Sequence, residues 1–235
     1  YLERVTPALA HLREATEDLQ FSAGVEGGTL RITVSHPAGR VLVEPFLAEF
    51  FALHPHIHVE LVYDDGFVDI VREGFDLGIR NGESLEGDMV ALPLTQEMVM
   101  SCAASPAYLK AHGTPQHPDE LAQHQCINYR MRSSGGIYKW EFLIDGKLAE
   151  RAVHGPLTVN HWDTALNAAR DGVGLLIGWR DSLAPVFESG ELVEVLTPYH
   201  SRFPGFYAYY SHRVHLPLKT RVFLDFLMQR IPGVA

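Results

Sequence analysis

The strongest constraint on the fold of this chain is the regular alternation of strand and helix patterns over residues 27–81. The stretch TLRITVS is typical of a strand, and two more strand patterns, HVELVYD and DLGIR, follow it. Between them, apolar residues recur at helical spacing in VLVEPFLAEFFALHP and FVDIVREG. This alternation predicts a parallel sheet with crossover helices. Because proline disrupts a helix interior, we expect Pro45 to delay or kink the first helix.

The second half of the chain repeats the alternation less regularly. Strands are predicted at MVMSCAAS and CINYR, with short helices at PAYLKAHG and HPDELAQH between them. A β meander is expected from YKWEFLIDGKLAERAVHGPLTVN, turning at the favourable hairpin pair Asp145-Gly146. HWDTALNAARDGVGLLIGW then predicts a helix, a glycine turn and a buried strand. The chain closes with the strands ELVEVL and FYAYYSH and the helix LPLKTRVFLDFLMQRI.

Composition limits the possible function classes. The 235 residues are 46% hydrophobic, enough for one large domain or two small lobes. No run of about 18 apolar residues predicts a membrane span. The net charge of −10 argues against direct binding of this chain to a nucleic-acid backbone. The two cysteines, Cys102 and Cys126, lie in apolar strand patterns, so we expect buried, inert thiols in a reducing cytosol.

Motifs that indicate catalysis are missing from the sequence. There is no G-x-S-x-G, P-loop, H-E-x-x-H or C-x-x-C, so no enzyme activity and no cofactor are predicted. The stretch HPHIHVELV contains His54, His56 and His58 and raises the question of a metal site. Because Pro55 disfavours helix before it and polar residues then alternate with apolar ones, a turn into a half-exposed strand is favoured, and no metal is predicted.

Six phrases occur together in an order that resembles the effector-binding region of LysR-type transcriptional regulators, over residues 27–231. They are GGTLRITVS, FLAEFFALHPHIHVELV, GFDLGIRNG, SPAYLKAHGTPQHPDELAQHQCI, ALNAARDGVGLLIGW with SGELVEVL, and YYSHRVHLPLKTRVFLDFL. The N-terminal segment resembles the end of the linker helix that joins this region to a winged helix-turn-helix. The chain is therefore expected to be a regulator that lacks its DNA-binding domain.

The resemblance implies an α/β fold of two Rossmann-like lobes joined by two crossing strands, as in type II periplasmic binding proteins. Residues 1–24 would form the end of the linker helix. Residues 27–99 with 204–235 would form lobe I, and residues 100–203 would form lobe II. A small effector would lie in the cleft between the lobes.

The candidate effector contacts follow from this fold. Open parallel sheets bind ligands beyond the carboxyl ends of their strands, near free amides at helix N-termini. SHP follows the first strand, NHW follows PLTV, and Arg80 ends the third strand, where it could pair with a carboxylate. The predicted effector-binding residues are Ser35, His36, Pro37, Arg80, Asn81, Tyr129, Arg132, Asn160, His161, Trp162 and Phe203.

Each candidate also has a purely structural interpretation. Ser35 could simply cap the following helix, and Asp163 is expected to cap the helix after NHW. Arg80 could form a salt bridge with Asp76 or Glu83 instead of a ligand. Arg132 could lie in a solvated loop. The aromatic candidates could belong to the core.

The predicted function is effector binding and oligomerisation in a bacterial LysR-type regulator. The effector is expected to be a small organic anion that shifts the population of lobe arrangements. A homodimer or homotetramer is expected, with the apolar helix VLVEPFLAEFFAL against lobe II of a partner, and DNA is bound through the winged helix-turn-helix of the full-length protein. The alternatives are a transporter's solute-binding protein, disfavoured by the lack of a leader, and an enzyme. A peroxide-sensing branch of the family also leaves a disulfide switch open for the two cysteines.

Overall fold

The computed structural model describes residues 27–66, 68–81, 89–132, 134–211 and 216–231. The expected linker helix, residues 1–24, lies outside them. The described chain divides into two units. Unit 1 holds the residues up to Gln96 and from Pro204 onward, and unit 2 holds Glu97–Phe203.

Strands and helices alternate along both units. The strands are β1 (Gly28–Val34), β2 (Ile57–Tyr63), β3 (Leu77–Asn81), β4 (Met89–Pro93), β5 (Met98–Ala104), β6 (Asn128–Tyr129), β7 (Trp140–Ile144), β8 (Lys147–Arg151), β9 (Thr158–Val159), β10 (Leu176–Trp179), β11 (Val193–Val195), β12 (Ser201–Phe203) and β13 (Phe206–Ser211). The α-helices are α1 (His36–Ala38), α2 (Leu47–Leu53), α3 (Ile70–Glu73), α4 (Pro106–His112), α5 (Trp162–Arg170), α6 (Arg180–Glu188) and α7 (Leu218–Arg230).

Unit 1 is built on a mixed sheet with the strand order β2-β1-β3-β13-β4. β1 is parallel to β2 and β3, whereas β13 is antiparallel to β3 and β4. The strand and helix alternation at the start of the chain thus correctly predicted the parallel half. Val34 lies opposite both Tyr63 and Ile79, so the three parallel strands end at one edge.

The core of unit 1 follows from the two-residue period of β1. Leu30, Ile32 and Val34 on one face are fully buried. The ring of Phe50, on α2, lies 5.1 Å from the rings of both Phe223 and Phe226 on α7, in edge-on arrangements. Such aromatic pairs add about 0.5–1.5 kcal/mol each beyond the burial of their area.

The segment from His36 to Leu53 is helical but not one regular helix. After α1 it continues as a π turn over Gly39–Val43 and a 3-10 turn over Glu44–Phe46, before α2 begins at Leu47. Pro45 lies in the 3-10 turn. Because proline lacks a backbone N–H and clashes with the preceding helical turn, the regular helix is broken there, as the sequence predicted.

The three-histidine stretch is the turn into β2. Ile57 is buried, whereas His58 and Glu60 on the other face are exposed, which confirms the predicted alternation. Glu60 forms an ion pair with Arg31 on β1, with an N–O distance of 2.9 Å. Among the described residues, no group of three or more acidic, histidine or cysteine side chains could hold a metal ion.

Unit 2 centres on β5, to which β10, β11 and β12 are all antiparallel. β7 and β8 form a hairpin whose turn residues, Asp145 (φ 50°) and Gly146 (φ 74°), both have positive φ. This turn was predicted, since Asp-Gly favours such a conformation. The rest of the predicted meander is wrong, because β9 pairs in parallel with β6 and not with β8.

Several unit 2 features had no sequence prediction. Helix α6 and strand β12 are two of them.

The core of unit 2 holds the fully buried Trp140 and Phe142 beside Cys102 and Cys126. No helix in the described ranges is long and apolar enough to cross a membrane.

Candidate functional site

The carboxyl edge of the parallel strands in unit 1 brings candidate residues from three strands together. The Ser35 amide donates to the Ile79 carbonyl over 3.1 Å, and the Asp64 amide donates to the Val34 carbonyl over 3.0 Å. The carboxyl ends of β2, β1 and β3 therefore lie side by side in that order. This edge is where open parallel sheets bind ligands.

Ser35 presents a buried hydroxyl without a partner. It lies before α1 in an extended conformation (φ −69°, ψ 148°), and its side chain makes no capping hydrogen bond. The residue is 8% exposed, and its Oγ has no hydrogen-bond partner among the described residues. The capping interpretation is therefore wrong for this side chain. A buried, unsatisfied polar group costs about 1–3 kcal/mol of stability. A ligand group that formed a hydrogen bond with the Ser35 hydroxyl would remove that cost.

The amide of His36 is occupied, contrary to the expectation of free amides at this helix end. It donates to Asp65 Oδ1 over 2.8 Å, and the His36 Nδ1 lies 3.1 Å from Asp65 Oδ2. The next residue, Pro37, has no backbone N–H to donate. The start of this helix therefore offers fewer donors to an anion than the sequence suggested, and it carries the negative charge of Asp65.

Ser35, His36 and Asp65 contain the three residue types of a hydrolase triad but not its geometry. A nucleophilic serine must be within hydrogen-bond reach of its base. The hydroxyl of Ser35 bonds to no group in the part of the chain that the structure describes. The arrangement therefore does not support nucleophilic catalysis.

Arg80 is held at the end of β3 by two neutral hydroxyls. Its Nε donates to the Tyr209 hydroxyl over 3.0 Å, and its Nη2 donates to Thr33 Oγ1 over 3.1 Å. A guanidinium has further N–H donors, and no described carboxylate pairs with this one. Asp76 pairs instead with the buried Lys219, with an N–O distance of 3.2 Å, so the predicted alternative salt bridge with Asp76 is wrong.

The other alternative partner of Arg80, Glu83, lies outside the described residues. Asn81 ends β3 beside Arg80 and is half-buried.

The position of Tyr209 depends on a glycine. Gly78 lies opposite Tyr209 in the sheet, and a Cβ on Gly78 would lie 2.0 Å from Tyr209 Cζ. Only glycine therefore lets the ring cross the strand and reach Arg80. Burial raises the pKa of Tyr209, while the neighbouring Arg80 opposes that shift. The phenol is therefore protonated near neutral pH.

Unit 2 brings Tyr129 and Asn160 together at the ends of β6 and β9. The Tyr129 hydroxyl donates to the Asn160 carbonyl over 3.0 Å. The pairing of β6 with β9 fixes this contact, and the Arg130 amide extends it with a 2.7 Å bond to the Val159 carbonyl. Asn160 is exposed and Tyr129 is half-buried.

His161 is the N-cap of α5, whereas Asp163 was predicted to be. The Thr164 amide donates to His161 Nδ1 over 3.4 Å. Asp163 lies in the first turn instead, where a carboxylate suits the helix dipole. His161 is exposed. Its ring is therefore at the surface but already bonded to its own helix.

Trp162 packs against the sheet of unit 2. A Cβ on Gly178 of β10 would lie 2.2 Å from its Cη2, so the indole lies directly over that glycine. Its Nε1 is buried without a hydrogen-bond partner. The contact with Gly178 is that of a core residue.

The last two candidates are placed separately. Arg132 is exposed in the turn where the Met131 amide donates to the Gly136 carbonyl over 2.9 Å, and no described residue forms a hydrogen bond or an ion pair with it. Phe203, at the end of β12, lies edge-on to Trp179 with a ring separation of 5.8 Å.

Three residues that shape the unit 1 site were not among the predictions: Thr33, Asp65 and Tyr209. The acidic pair directly after β2 was a usable signal for Asp65. Tyr209 had none, because it lies 129 residues from Arg80 in the chain.

Both cysteines are buried free thiols. Burial raises the pKa of Cys102 well above its usual value and that of Cys126 to about 12, so neither forms the reactive thiolate at neutral pH. Leu175, directly before β10, pairs with Cys126, and Ile177 on β10 pairs with Cys102, so this segment runs between the backbones of the two cysteines. These features support the inert interpretation over a disulfide switch.

In sequence, residues 23–232 match the LysR substrate binding domain family. A transcriptional regulator of Pseudomonas aeruginosa is 38% identical over 186 residues, which cover 79% of this chain and 61% of that relative. The HTH-type transcriptional regulator YcaN of Escherichia coli is 32% identical over 225 residues, 96% of this chain and 73% of YcaN. The chain thus spans less than two thirds of the first of these relatives.

In structure, the chain is similar to CrgA, a LysR-type transcriptional regulator from Neisseria meningitidis. The TM-score is 0.79 at 27% sequence identity, covering 99% of this chain and 78% of CrgA. The likeness confirms the predicted fold class, a type II periplasmic-binding-protein-like α/β fold. These similar proteins are regulators, which supports the predicted regulatory class over both the transporter and the enzyme alternatives.

Proposed function

The chain belongs to the LysR substrate-binding-domain family, and from this premise we propose that it binds a small organic effector and so controls transcription by a bacterial LysR-type regulator. We assign unit 1 to lobe I, unit 2 to lobe II and residues 1–24 to the end of the linker helix. A role in transcription control supports a cytoplasmic location. DNA contact is assigned to the winged helix-turn-helix of the full-length regulator.

The observation that carries the proposal is that two polar side chains with unused hydrogen-bonding capacity lie at one sheet edge in unit 1. The Ser35 hydroxyl is buried without a partner. Arg80, on the neighbouring strand, is held only by hydroxyls among the described residues. The buried Ser35 hydroxyl costs stability while it is unpaired, and the Arg80 guanidinium has further donors and no carboxylate partner among the described residues. An effector carboxylate would use both, with His36, Pro37 and Asn81 around it.

The residues of unit 2 are proposed as a second set of effector contacts. Tyr129, Asn160 and His161 meet at the ends of β6 and β9. Trp162, Arg132 and Phe203 complete the proposed set. The support for them is weaker than for unit 1, because several already serve the fold.

We assign oligomerisation to the outer face of α2. Two large apolar side chains on this helix are exposed, Phe51 by 40% and Leu53 by 57%. Exposed apolar groups this close together favour a protein interface. A homodimer or homotetramer through this helix would let an effector-driven shift in the population of conformations change the spacing of the DNA-binding domains.

A thermal-shift screen of small organic carboxylates tests the effector site. A ligand of unit 1 raises the Tm of the wild-type chain, and both Ser35→Ala and Arg80→Ala lose most of that increase. Ser189→Ala and Arg170→Ala, which remove the same side chains elsewhere, retain it. A compound that stabilises all five proteins equally would show that the effector site lies elsewhere.

A further inference from the structure

Asp65 places a negative charge beside the proposed effector site. Its Oδ1 accepts a hydrogen bond from the His36 amide, and its Oδ2 faces Nδ1 of the His36 ring. The side chain is 17% exposed, so the carboxylate is partly shielded from water. Asp64 adds a second carboxylate at the same strand end, where its Oδ1 accepts from the Gly66 amide over 2.7 Å. A bare anion on this side of Ser35 would be repelled.

The opposite charge lies on the other side of Ser35. The strand order puts β2 and β3 on either side of β1, so Asp65, after β2, and Arg80, near the end of β3, flank Ser35, which directly follows β1. Ser35 directly follows β1 in extended backbone, two residues after Thr33, so the two share a face, and Thr33 Oγ1 accepts from the Arg80 guanidinium over 3.1 Å. The edge therefore runs from a carboxylate, past a buried hydroxyl without a partner, to a guanidinium.

A ligand that satisfies this edge must carry both charges. A carboxylate on the ligand pairs with Arg80, and a protonated amine pairs with Asp65, whose oxygens can each accept more than one hydrogen bond. The Ser35 hydroxyl, which no described group uses, then donates to the same carboxylate. A carboxylate alone brings no cation to Asp65, and an amine alone brings no anion to Arg80.

We propose that the effector is a zwitterion of the amino-acid type and not a simple organic anion. This inference rests on the proposed function, because it assigns the chemical class of the ligand to the same unit 1 site. Asp65 is then the residue that determines specificity for the ammonium group.

The test compares ligands that differ only in charge. Each α-amino acid of a panel is assayed beside its deaminated acid and its decarboxylated amine, by calorimetry and thermal shift on the whole chain. Wild-type protein binds an amino acid about tenfold or more tightly than either relative. Asp65→Asn retains the bond to the His36 amide but loses the preference over the deaminated acid. Arg80→Gln loses the preference over the amine.

Asp145→Asn, in the exposed hairpin turn of unit 2, makes the same change of charge and is the control that keeps both preferences. A deaminated acid that binds wild-type protein more tightly than its amino acid overturns the zwitterion assignment and leaves the effector site standing. Failure of every member of the panel to bind overturns both the zwitterion assignment and the proposed effector site. The wild-type comparison decides the question even if a variant fails to fold.

Discussion

The two units use the residues at their strand ends differently. In unit 1, the Ser35 hydroxyl has no partner and Arg80 is held by neutral hydroxyls. In unit 2, the Tyr129 hydroxyl bonds to a backbone carbonyl and the His161 ring caps its own helix. The difference teaches that the location of a residue at a strand end does not make it a ligand contact. Its unused hydrogen-bonding capacity is the better criterion.

The largest expected effect contrasts a buried ion pair of unit 1 with an exposed pair of unit 2. Lys219→Met leaves Asp76 partly buried without its cation and should lower the free energy of unfolding by about 3–5 kcal/mol. Glu150→Gln, which removes the exposed partner of Lys139, should cost far less, because solvent screens that pair. Urea denaturation measures both. Equal losses would contradict the structural role of Lys219.

Two glycines that admit aromatic rings give the next comparison. Gly78→Ala and Gly178→Ala each place a methyl group against a ring, of Tyr209 and Trp162, and should each cost about 1–3 kcal/mol of stability. Gly78→Ala should also abolish effector binding, because Tyr209 holds Arg80, whereas Gly178→Ala, which displaces the secondary contact Trp162, should weaken binding less. Denaturation and calorimetry on the same samples separate the two effects. Loss of binding in Gly178→Ala alone would move the site to unit 2.

Two conservative deletions of a hydroxyl should change the free energy of unfolding in different directions. Ser35→Ala removes an unsatisfied buried hydroxyl and should leave the ligand-free chain as stable or more stable. Tyr129→Phe removes a hydrogen bond to Asn160 and should lower the free energy of unfolding by about 0.5–1.5 kcal/mol. A clear loss of stability in Ser35→Ala would mean that its hydroxyl already serves the fold.

The smallest effect is a pH dependence confined to unit 2. Burial lowers the pKa of both His124 and His200, and both residues belong to this unit. A folded-state pKa below the unfolded value means that unfolding takes up protons on acidification. Their contribution to stability is therefore complete above the ordinary histidine pKa of about 6.5 and is lost as the pH falls below it.

Tryptophan fluorescence measures this loss selectively, because Trp140, Trp162 and Trp179 all lie in unit 2. His200→Gln should reduce the fall in stability between neutral and mildly acidic pH. His56→Gln, an exposed histidine of unit 1, should leave it unchanged. An unaltered pH profile in His200→Gln would assign the dependence to other groups.

Local patterns made the elements of this fold predictable. The alternation in β1 and β2, the break at Pro45 and the turn at Asp145 all depend on residues close in sequence. The prediction failed where the partner was distant, as for β9, which pairs with β6 and not with the adjacent hairpin. The N-cap of α5 was misplaced because histidine and aspartate both lie near the helix start and both side chains can accept a hydrogen bond.

By itself, the sequence determined the family, the parallel start of the sheet and the position of Ser35 and Arg80 at strand ends. These follow from periodicity and from phrases that neighbouring residues carry. Only the tertiary structure decided which groups those residues meet. Asp65 occupies the amide expected to be free, and Tyr209 reaches Arg80 from the far end of the chain. Such contacts depend on which strands become neighbours, and side-chain chemistry alone does not specify that order.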